Sequence, residues 1–120
     1  MNITTRAQNF ELTRAIDRFA REHLRTALAR IDESVIAVDV FLTDANGPRG
    51  GVDKKVLIRV QMRNRQEVTV ATIHEDLYAA ISKGVKRTKR AVKRKVHKSR
   101  HFQNQRVQDL LISDGMATAP

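Results

Sequence analysis

The sequence predicts a single α+β domain with the element order β-α-β-β-β-α, in which a four-stranded sheet carries both helices on one face. Two segments have apolar residues at helical spacing, three segments alternate apolar and polar residues, and a short β-prone segment opens the chain. A chain of 120 residues is long enough for one two-layer core. We therefore expect the apolar stripes of both helices to lie against the same sheet face.

The chain opens with a predicted strand over residues 2–7, in which Ile3, Thr5 and Ala7 share one face. Thr13 is expected to cap the first helix, because its hydroxyl can accept a hydrogen bond from a free backbone N–H. Charged residues separate apolar ones at helical spacing, which predicts an amphipathic helix over about residues 14–30. The apolar positions are Leu12, Ile16, Phe19, Ala20, Leu24, Ala27, Leu28 and Ile31.

Three further strands are predicted by alternation of side-chain polarity. Residues 34–43 form the first of them, residues 55–63 the second, and the third follows a tight turn at residues 64–66 as a hairpin partner. Their core-facing sets are Ile36, Val38, Val40 and Leu42, then Val56, Ile58, Val60 and Met62, then Val68, Val70 and Thr72. Residues 44–53 contain three Gly and one Pro, which predicts a loop.

Asp76 is the predicted N-cap of a second helix that runs to about Arg100. The apolar stripe of this helix consists of Leu77, Ile81, Val85, Thr88, Val92 and Val96. Residues 103–120 have only a weak apolar cluster and a Gly/Ala/Thr/Pro end, so they are expected to form a flexible tail. The folded domain is expected to cover residues 1–102.

The formal net charge of the chain comes from one stretch, residues 83–100. This stretch holds ten Lys or Arg and no Asp or Glu, and the thirteen basic residues elsewhere match the thirteen acidic ones. An ordinary exposed helix mixes both signs, because like charges three or four positions apart repel. A strongly basic helix on a neutral body therefore favours a polyanion, most commonly the phosphates of nucleic acid, over a merely solvated face. The ten are Lys83, Lys86, Arg87, Lys89, Arg90, Lys93, Arg94, Lys95, Lys98 and Arg100.

Composition excludes several classes of protein. The chain has no Cys, which removes disulfides and Cys-based zinc sites and is typical of a reducing cytoplasm. It has no Trp and one Tyr, which argues against a surface of several base-stacking aromatics. No apolar run is long enough for a membrane span, and the basic helix lacks the bulky apolar residues that a membrane-surface helix needs. We expect a cytoplasmic protein without a membrane partner.

Three features outside the basic run are candidate contacts. The glycine-rich loop lacks the spacing of a nucleotide-binding P-loop, so it is either a plain connection or a finger with phosphate contacts from Arg49, Lys54 and Lys55. Arg59 and Arg63 project from the outer sheet face and would extend the basic surface. Tyr78 lies one residue off the apolar stripe, which favours a core position, with a base-stacking platform as the alternative.

The residues provide no catalytic constellation. His97 and His101 are one helical turn apart, but no Glu follows His97 and the neighbouring Lys and Arg repel a metal ion. His74 and Asp76 are close in sequence without a nucleophile beside them. We therefore expect a binding protein, with no enzymatic activity, cofactor, metal or small-molecule substrate.

The segment Glu75-Asp-Leu-Tyr-Ala-Ala-Ile81, followed by a Lys/Arg-rich helix, resembles the ribosome hibernation-promoting factor family. This family is also described as ribosome-associated inhibitor A, protein Y or sigma-54 modulation protein. The resemblance covers about residues 1–100 and includes the Leu-Thr-x-Ala-Ile start of the first helix, from Leu12 to Ile16. The loop Asn-Gly-Pro-Arg-Gly-Gly-Val-Asp-Lys resembles one found in a bacterial branch of the family.

This resemblance implies a fold like that of double-stranded RNA-binding domains and a non-enzymatic role on the small ribosomal subunit. Family members occupy the rRNA channel of mRNA and tRNA, which blocks initiation and keeps idle ribosomes intact. At matching positions the resemblance nominates Tyr78, Lys83, Lys86, Arg87, Lys89, Arg90, Lys93 and Arg94 as rRNA contacts, and the basic run adds Lys98.

Ser82 stands where the family motif commonly has a second Asp. The chain resembles the short forms without a dimerisation domain, so we expect a monomer off the ribosome.

Two other functions remain open from the residues. A general double-stranded nucleic-acid binder would bind any duplex through shape and phosphate contacts. A regulatory protein that binds an acidic protein partner would use the same basic helix, and its association would resist RNase.

Overall fold

The computed structural model describes the backbone of residues 1–44 and 54–118 and the side chains of residues 1–44 and 54–98. Its elements are β1 (Asn2–Gln8), α1 (Arg14–Leu28), a 3-10 segment (Ala29–Ser34), β2 (Val35–Asp44), β3 (Lys54–Met62), β4 (Glu67–His74) and α2 (Leu77–Thr118). The predicted α+β class and element order are confirmed. The predicted loop at 44–53 lies outside the described residues except for Asp44, which ends β2.

The four strands form one mixed sheet in the order β1-β2-β3-β4. β1 runs parallel to β2, with α1 as the crossover between them, and the other neighbours are antiparallel. The β3–β4 turn at residues 64–66 is confirmed. Its Arg65 has a φ of 67°, and Met62 N donates to the Gln66 carbonyl at 2.9 Å.

One face of the sheet is buried, and both helices cover it. The predicted inward residues of β3 and β4 are all buried, as are Val38, Val40 and Leu42 of β2. The prediction for Ile36 is wrong, because its side chain is 48% exposed. The pairing of β2 with β3 shifts register between Val35 and Ala37, and this irregularity turns Val35 into the core in place of Ile36.

α1 buries one stripe, Ile16, Ala20, Leu24 and Leu28, at intervals of four residues. The predicted cap is confirmed, since Ile16 N donates to Thr13 Oγ1 at 3.2 Å. The helix ends at Leu28, two residues earlier than predicted. The chain continues as the 3-10 segment, in which Ile31 has a non-helical φ of −123°.

α2 begins after the predicted cap, with Ala79 N donating to Asp76 Oδ2 at 3.3 Å. Its buried stripe includes Ile81, Val85, Thr88, Val92 and Val96 as predicted, together with Ala80 and Gly84. Gly84 permits the close approach to the sheet, because a Cβ there would lie 3.3 Å from Ile58 Cδ1 and 3.4 Å from Thr72 Oγ1. The stripe thus fixes which helix side is left for the cations.

The C-terminal end of α2 differs from the prediction. The helix continues to Thr118, whereas the sequence predicted an end near Arg100. A helix of 42 residues is about 63 Å long at 1.5 Å per residue. The last buried residue of α2 among those described is Val96. The predicted flexibility of residues 103–120 stays a prediction.

Candidate nucleic-acid interface

The basic face of α2 lies opposite its buried stripe and consists of Lys83, Lys86, Lys89, Arg90, Lys93, Arg94 and Lys98. All of these side chains are exposed except that of Lys89, which is partly exposed. Within residues 1–44 and 54–98, none of them forms an ion pair with a carboxylate. From residue 83 to residue 98 the face extends about 22 Å along the helix. The structure therefore brings seven of the predicted contacts together on one rigid element.

The basic face borders a groove on each side. On the α1 side, Lys86 and Lys89 line a groove of about 560 Å³. On the β4 side, Arg94 and Lys98 line a groove of about 440 Å³ whose other wall includes Thr69. Cations border both grooves and lie on the helix surface between them, so most of the exposed circumference of the helix is positive. Such a surface can neutralise phosphates along a nucleic-acid backbone.

Arg87 belongs to the same run but is held by the protein itself. Its Nη1 donates to the Ala71 carbonyl of β4 at 2.7 Å and to Thr72 Oγ1 at 3.0 Å. The side chain therefore links α2 to β4, an edge strand of the sheet. Sequence spacing alone does not distinguish this arginine from its neighbours.

Lys54 and Arg49 are among the predicted phosphate contacts near the loop, and of these two the structure describes only Lys54. Lys54 Nζ lies 2.7 Å from Asp44 Oδ2, and both side chains are largely buried. This ion pair joins the end of β2 to the start of β3, where the two residues are register partners. Arg49 lies outside the described residues.

Arg59 lies on the sheet face away from the helices. Its Nε is 3.3 Å from Glu67 Oε1 on β4, and its register partner on β2 is Asp39. The Glu67 carboxylate thus offsets part of the charge of Arg59, and Asp39 is a neighbouring acidic residue on the same sheet face. The structure thus separates Arg59 from the basic face by the thickness of the sheet.

The prediction that Tyr78 is a core residue is wrong, because its side chain is 41% exposed. Its ring contacts Phe19 of α1 edge-to-face, with the ring centroids 4.9 Å apart and the planes at 86°. Phe19 also contacts His23 at a centroid distance of 4.0 Å. The first turn of α2 lies beside α1, so Tyr78 stands at the rim between the helices.

This three-ring cluster was not predicted from the sequence. Phe19 and His23 are four residues apart and therefore share a side of α1, which is a readable signal. The contact of Phe19 with Tyr78 joins residues 59 positions apart, and only the packing of α1 against α2 creates it. The same packing adds Glu22 and Thr26 to the groove that Lys86 and Lys89 line.

The part of the chain with described side chains offers little for other functions. No three His, Cys, Asp or Glu side chains there are grouped as metal ligands. No helix among the described residues is both long and apolar enough to cross a bilayer. The distinctive chemistry of the described surface is therefore the basic face and its two grooves.

Comparisons with known proteins assign the chain to a family. A family model described as sigma 54 modulation protein / S30EA ribosomal protein matches residues 3–100. The chain is similar to the Protein Y N-terminal domain of Thermus thermophilus, with 29% identity over 78% of this chain and 98% of that one and a TM-score of 0.66. None of the curated proteins compared with this chain matches it.

The fold is also similar to that of a ribosomal subunit interface protein from Coxiella burnetii. That similarity has a TM-score of 0.68 and 11% identity, over 81% of this chain and 99% of the other. The family model spans the whole described core, from Ile3 to Val96, and it includes the entire basic face. The chain belongs to the sigma 54 modulation protein / S30EA ribosomal protein family.

Proposed function

We propose that this protein is a ribosome-associated translation inhibitor that binds small-subunit rRNA in the channel used by mRNA and tRNA. In this role it acts without catalysis, as a cytoplasmic hibernation factor that blocks initiation and keeps idle ribosomes intact. The observation that carries the proposal is the basic face of α2, seven cations without a carboxylate partner in the described region, in a member of this family.

Electrostatics supports rRNA as the partner. Each phosphate that a Lys or Arg neutralises releases condensed counterions, so binding gains free energy that falls with salt concentration. The cations are fixed on a helix whose buried stripe packs against the sheet, so their spacing is set before binding. Binding therefore has to order the exposed side chains but not the helix that carries them.

The names of the similar structures support a ribosomal location. The Coxiella burnetii protein is described as a ribosomal subunit interface protein, and its fold is shared. The Thermus thermophilus domain is described as Protein Y, and 29% of the aligned residues are identical to it. A partner at the interface between subunits is consistent with occupation of the mRNA and tRNA channel.

The direct test is sedimentation of the purified protein with ribosomes and separated subunits on sucrose gradients, at low and high salt. We expect stoichiometric binding to small subunits that high salt weakens and that mRNA with initiator tRNA displaces. Each phosphate contact contributes about −0.7 to −0.9 to the slope of log affinity against log salt. Binding to free duplex RNA with equal affinity would instead support a general duplex binder. Association with an RNase-resistant partner would support a protein target.

A charge-reversal variant tests the role of the basic face. We expect Lys83→Glu, Arg90→Glu and Arg94→Glu together to abolish small-subunit binding at moderate salt with the fold retained, because three phosphate contacts are replaced by repulsion. These side chains are exposed and none of them is held in an ion pair within the described region. Arg87 is left unchanged because it links α2 to β4.

The matched control reverses three exposed arginines away from α2, Arg14, Arg25 and Arg30, and changes the net charge equally. This control should keep most of the binding. If both triple variants lose binding to the same extent, total charge and not the basic face determines association, and the proposed docking surface is wrong.

A further inference from the structure

We propose that the groove between α1 and α2 binds one unpaired nucleotide of RNA, whose base stacks on Tyr78 and whose phosphate contacts Lys86 and Lys89. The inference rests on the proposed function in taking RNA as the partner, and it adds a site that reads an unstacked base. The basic face alone would bind any backbone phosphate. The groove adds a contact that only a base can make.

Tyr78 lies beside the groove, one helical turn before the lining residue Ser82, and it has the features of a stacking platform. Tyr78 is 41% exposed, and Phe19 holds its ring edge-to-face from α1. Phe19 is itself half-buried and is flanked by His23. A supported, partly exposed ring is preorganised for a base, and stacking does not depend on which base is present.

The charges of the groove place the phosphate on the α2 side. Ser82, Lys86 and Lys89 line that wall, whereas Glu22, His23 and Thr26 line the α1 wall. The Glu22 carboxylate is partly neutralised by Arg18, whose Nε lies 3.3 Å from Oε1. Lys86 and Lys89 therefore attract a phosphate to the α2 wall, and the remaining negative charge of Glu22 disfavours it at the α1 wall.

The spacing fits a single nucleotide. Ser82 is one turn and Lys86 two turns after Tyr78, or about 12 Å along the helix axis for the longer separation. Long side chains in helices point back toward the N-terminus, which brings the Lys86 ammonium over the turn of Ser82. The groove volume of about 560 Å³ lies in the range of small-ligand sites.

The chemistry favours an unpaired nucleotide over two other anionic partners. In an RNA duplex the bases are stacked on each other, so their faces are closed to Tyr78. An acidic peptide has carboxylates for the two lysines but no large flat π-surface for the ring. Unpaired bases in loops and bulges offer both the phosphate and the face.

The fluorescence of Tyr78 provides a direct test, because the chain contains one Tyr and no Trp. We would titrate the full chain with short single-stranded RNA and with inorganic polyphosphate, correcting the signal for absorption by RNA. Both polyanions should bind, and only RNA should quench the tyrosine. Equal quenching by polyphosphate, or binding of RNA without quenching, would overturn the inference. Quenching by a Glu-rich peptide as strong as that by RNA would point to a protein partner and would also overturn it.

Substitutions test the same site by affinity. Tyr78→Ala should weaken binding to an RNA duplex with one bulged nucleotide about tenfold, leave binding to a fully paired, blunt-ended duplex without a loop unchanged, and keep the salt slope. Tyr78→Phe retains the ring and should retain the preference for the bulge. Ile73→Ala, at an exposed apolar residue on the outer sheet face, is the matched control and should change neither affinity.

Failure of this inference differs from failure of the proposed function. If Tyr78→Ala weakens binding to both duplexes equally, the groove does not bind an unpaired base, whatever the gradients show. If the fluorescence and duplex results hold while no ribosomal particle binds, the nucleotide site stands and the ribosomal role is wrong. Lys86→Gln should reduce the salt slope by about 0.7–0.9 if this lysine contacts the phosphate.

Discussion

Arg87 differs from the other exposed cations of α2 because its guanidinium is occupied by β4. Hydrogen bonds to the Ala71 carbonyl and to Thr72 Oγ1 orient the side chain along the edge of the sheet. Thr72 Oγ1 is also one of the atoms nearest to Gly84, so the link lies beside the closest approach of helix and strand. Arg87 is thus a positioning residue for the basic face.

We expect Arg87→Gln to reduce the free energy of unfolding by about 1 kcal/mol, since charged hydrogen bonds are strong but these are partly solvated. Arg90→Gln, one turn away and without such contacts, should leave stability nearly unchanged. Urea unfolding measures both. For RNA binding we expect the opposite ranking of the two variants. Arg90→Gln should reduce the slope of log affinity against log salt more than Arg87→Gln does. Equal slopes for the two variants would show that Arg87 also contacts phosphate.

Thr88 is fully buried in the stripe of α2, and its Oγ1 has no hydrogen-bond partner among the described residues. A buried hydroxyl without a partner has lost its hydration without compensation. Thr88→Val should therefore increase the free energy of unfolding by about 1 kcal/mol. Thr69→Val, on the exposed face of β4, is the control and should have a smaller effect. A loss of stability for Thr88→Val would mean that the hydroxyl finds a partner in solution.

At the level of elements, a polar cluster joins β1 to α1. Asp17 accepts hydrogen bonds from Thr5 Oγ1 and from Arg21 Nε, the latter at 2.8 Å, and Arg21 Nη1 donates to the Ile3 carbonyl at 2.7 Å. The hydrogen bond from Thr5 and the interactions with Arg21 hold the pKa of Asp17 below its usual 3.8, against the opposing effect of burial.

The lowered pKa of Asp17 gives a pH-dependent prediction. Because the folded pKa lies below the unfolded one, the stabilisation by this carboxylate is complete above 3.8 and is lost as pH falls through the folded value. The wild type should therefore exceed Asp17→Asn in unfolding free energy at neutral pH, with the difference shrinking in acid. Urea unfolding across a pH series measures this. Thr5→Val should reduce the pH-dependent difference, and a constant difference at every pH would contradict the assignment.

The two edge strands share one device. Arg21 of α1 donates to a carbonyl of β1, and Arg87 of α2 donates to a carbonyl of β4. Edge strands present unpaired backbone groups that can recruit further strands, and a charged side chain across them discourages such pairing. Each helix thus covers the sheet face and also provides an arginine that disfavours pairing of a further strand at the nearer edge.

At the level of the whole molecule, charge is distributed unequally over the two sides. The helix side carries the basic face, whereas the outer sheet face places Arg59 beside Glu67 and opposite Asp39. The outer face also holds the exposed Arg6 and Lys55, so its charges nearly balance, and a polyanion is attracted more strongly to the helix side. This asymmetry orients the protein before any specific contact forms.

The length of α2 gives a prediction about domain organisation. Val96 is the last described core residue, and the family model ends at residue 100. A chain shortened after residue 102 should keep its urea midpoint and lose only the helical circular dichroism of the removed residues. Hydrogen exchange should show less protection after residue 102, as the predicted flexibility of residues 103–120 requires. A clear loss of stability on truncation would show that residues 103–120 belong to the folded domain.

Much of the fold follows from local patterns. Period and capping depend on neighbouring residues, so the alternation in β3, the caps Thr13 and Asp76 and the turn at 64–66 are predictable and are confirmed. The prediction for Ile36 is wrong because a single register shift reverses the alternation, and the partner strand sets the register. The predicted end of α2 is wrong because no Pro or early Gly stops the helix after Arg100.

The order of residues is enough to show a neutral body with one basic helix, since charge and helical period are properties of position along the chain. Which cations remain available depends on how the elements pack. Arg87, Lys54 and Arg59 each meet a partner contributed by another element, so their charges or donors are already engaged. The exposure of Tyr78 beside Phe19 likewise depends on how two helices 50 residues apart in the chain pack together, and no local pattern encodes that contact.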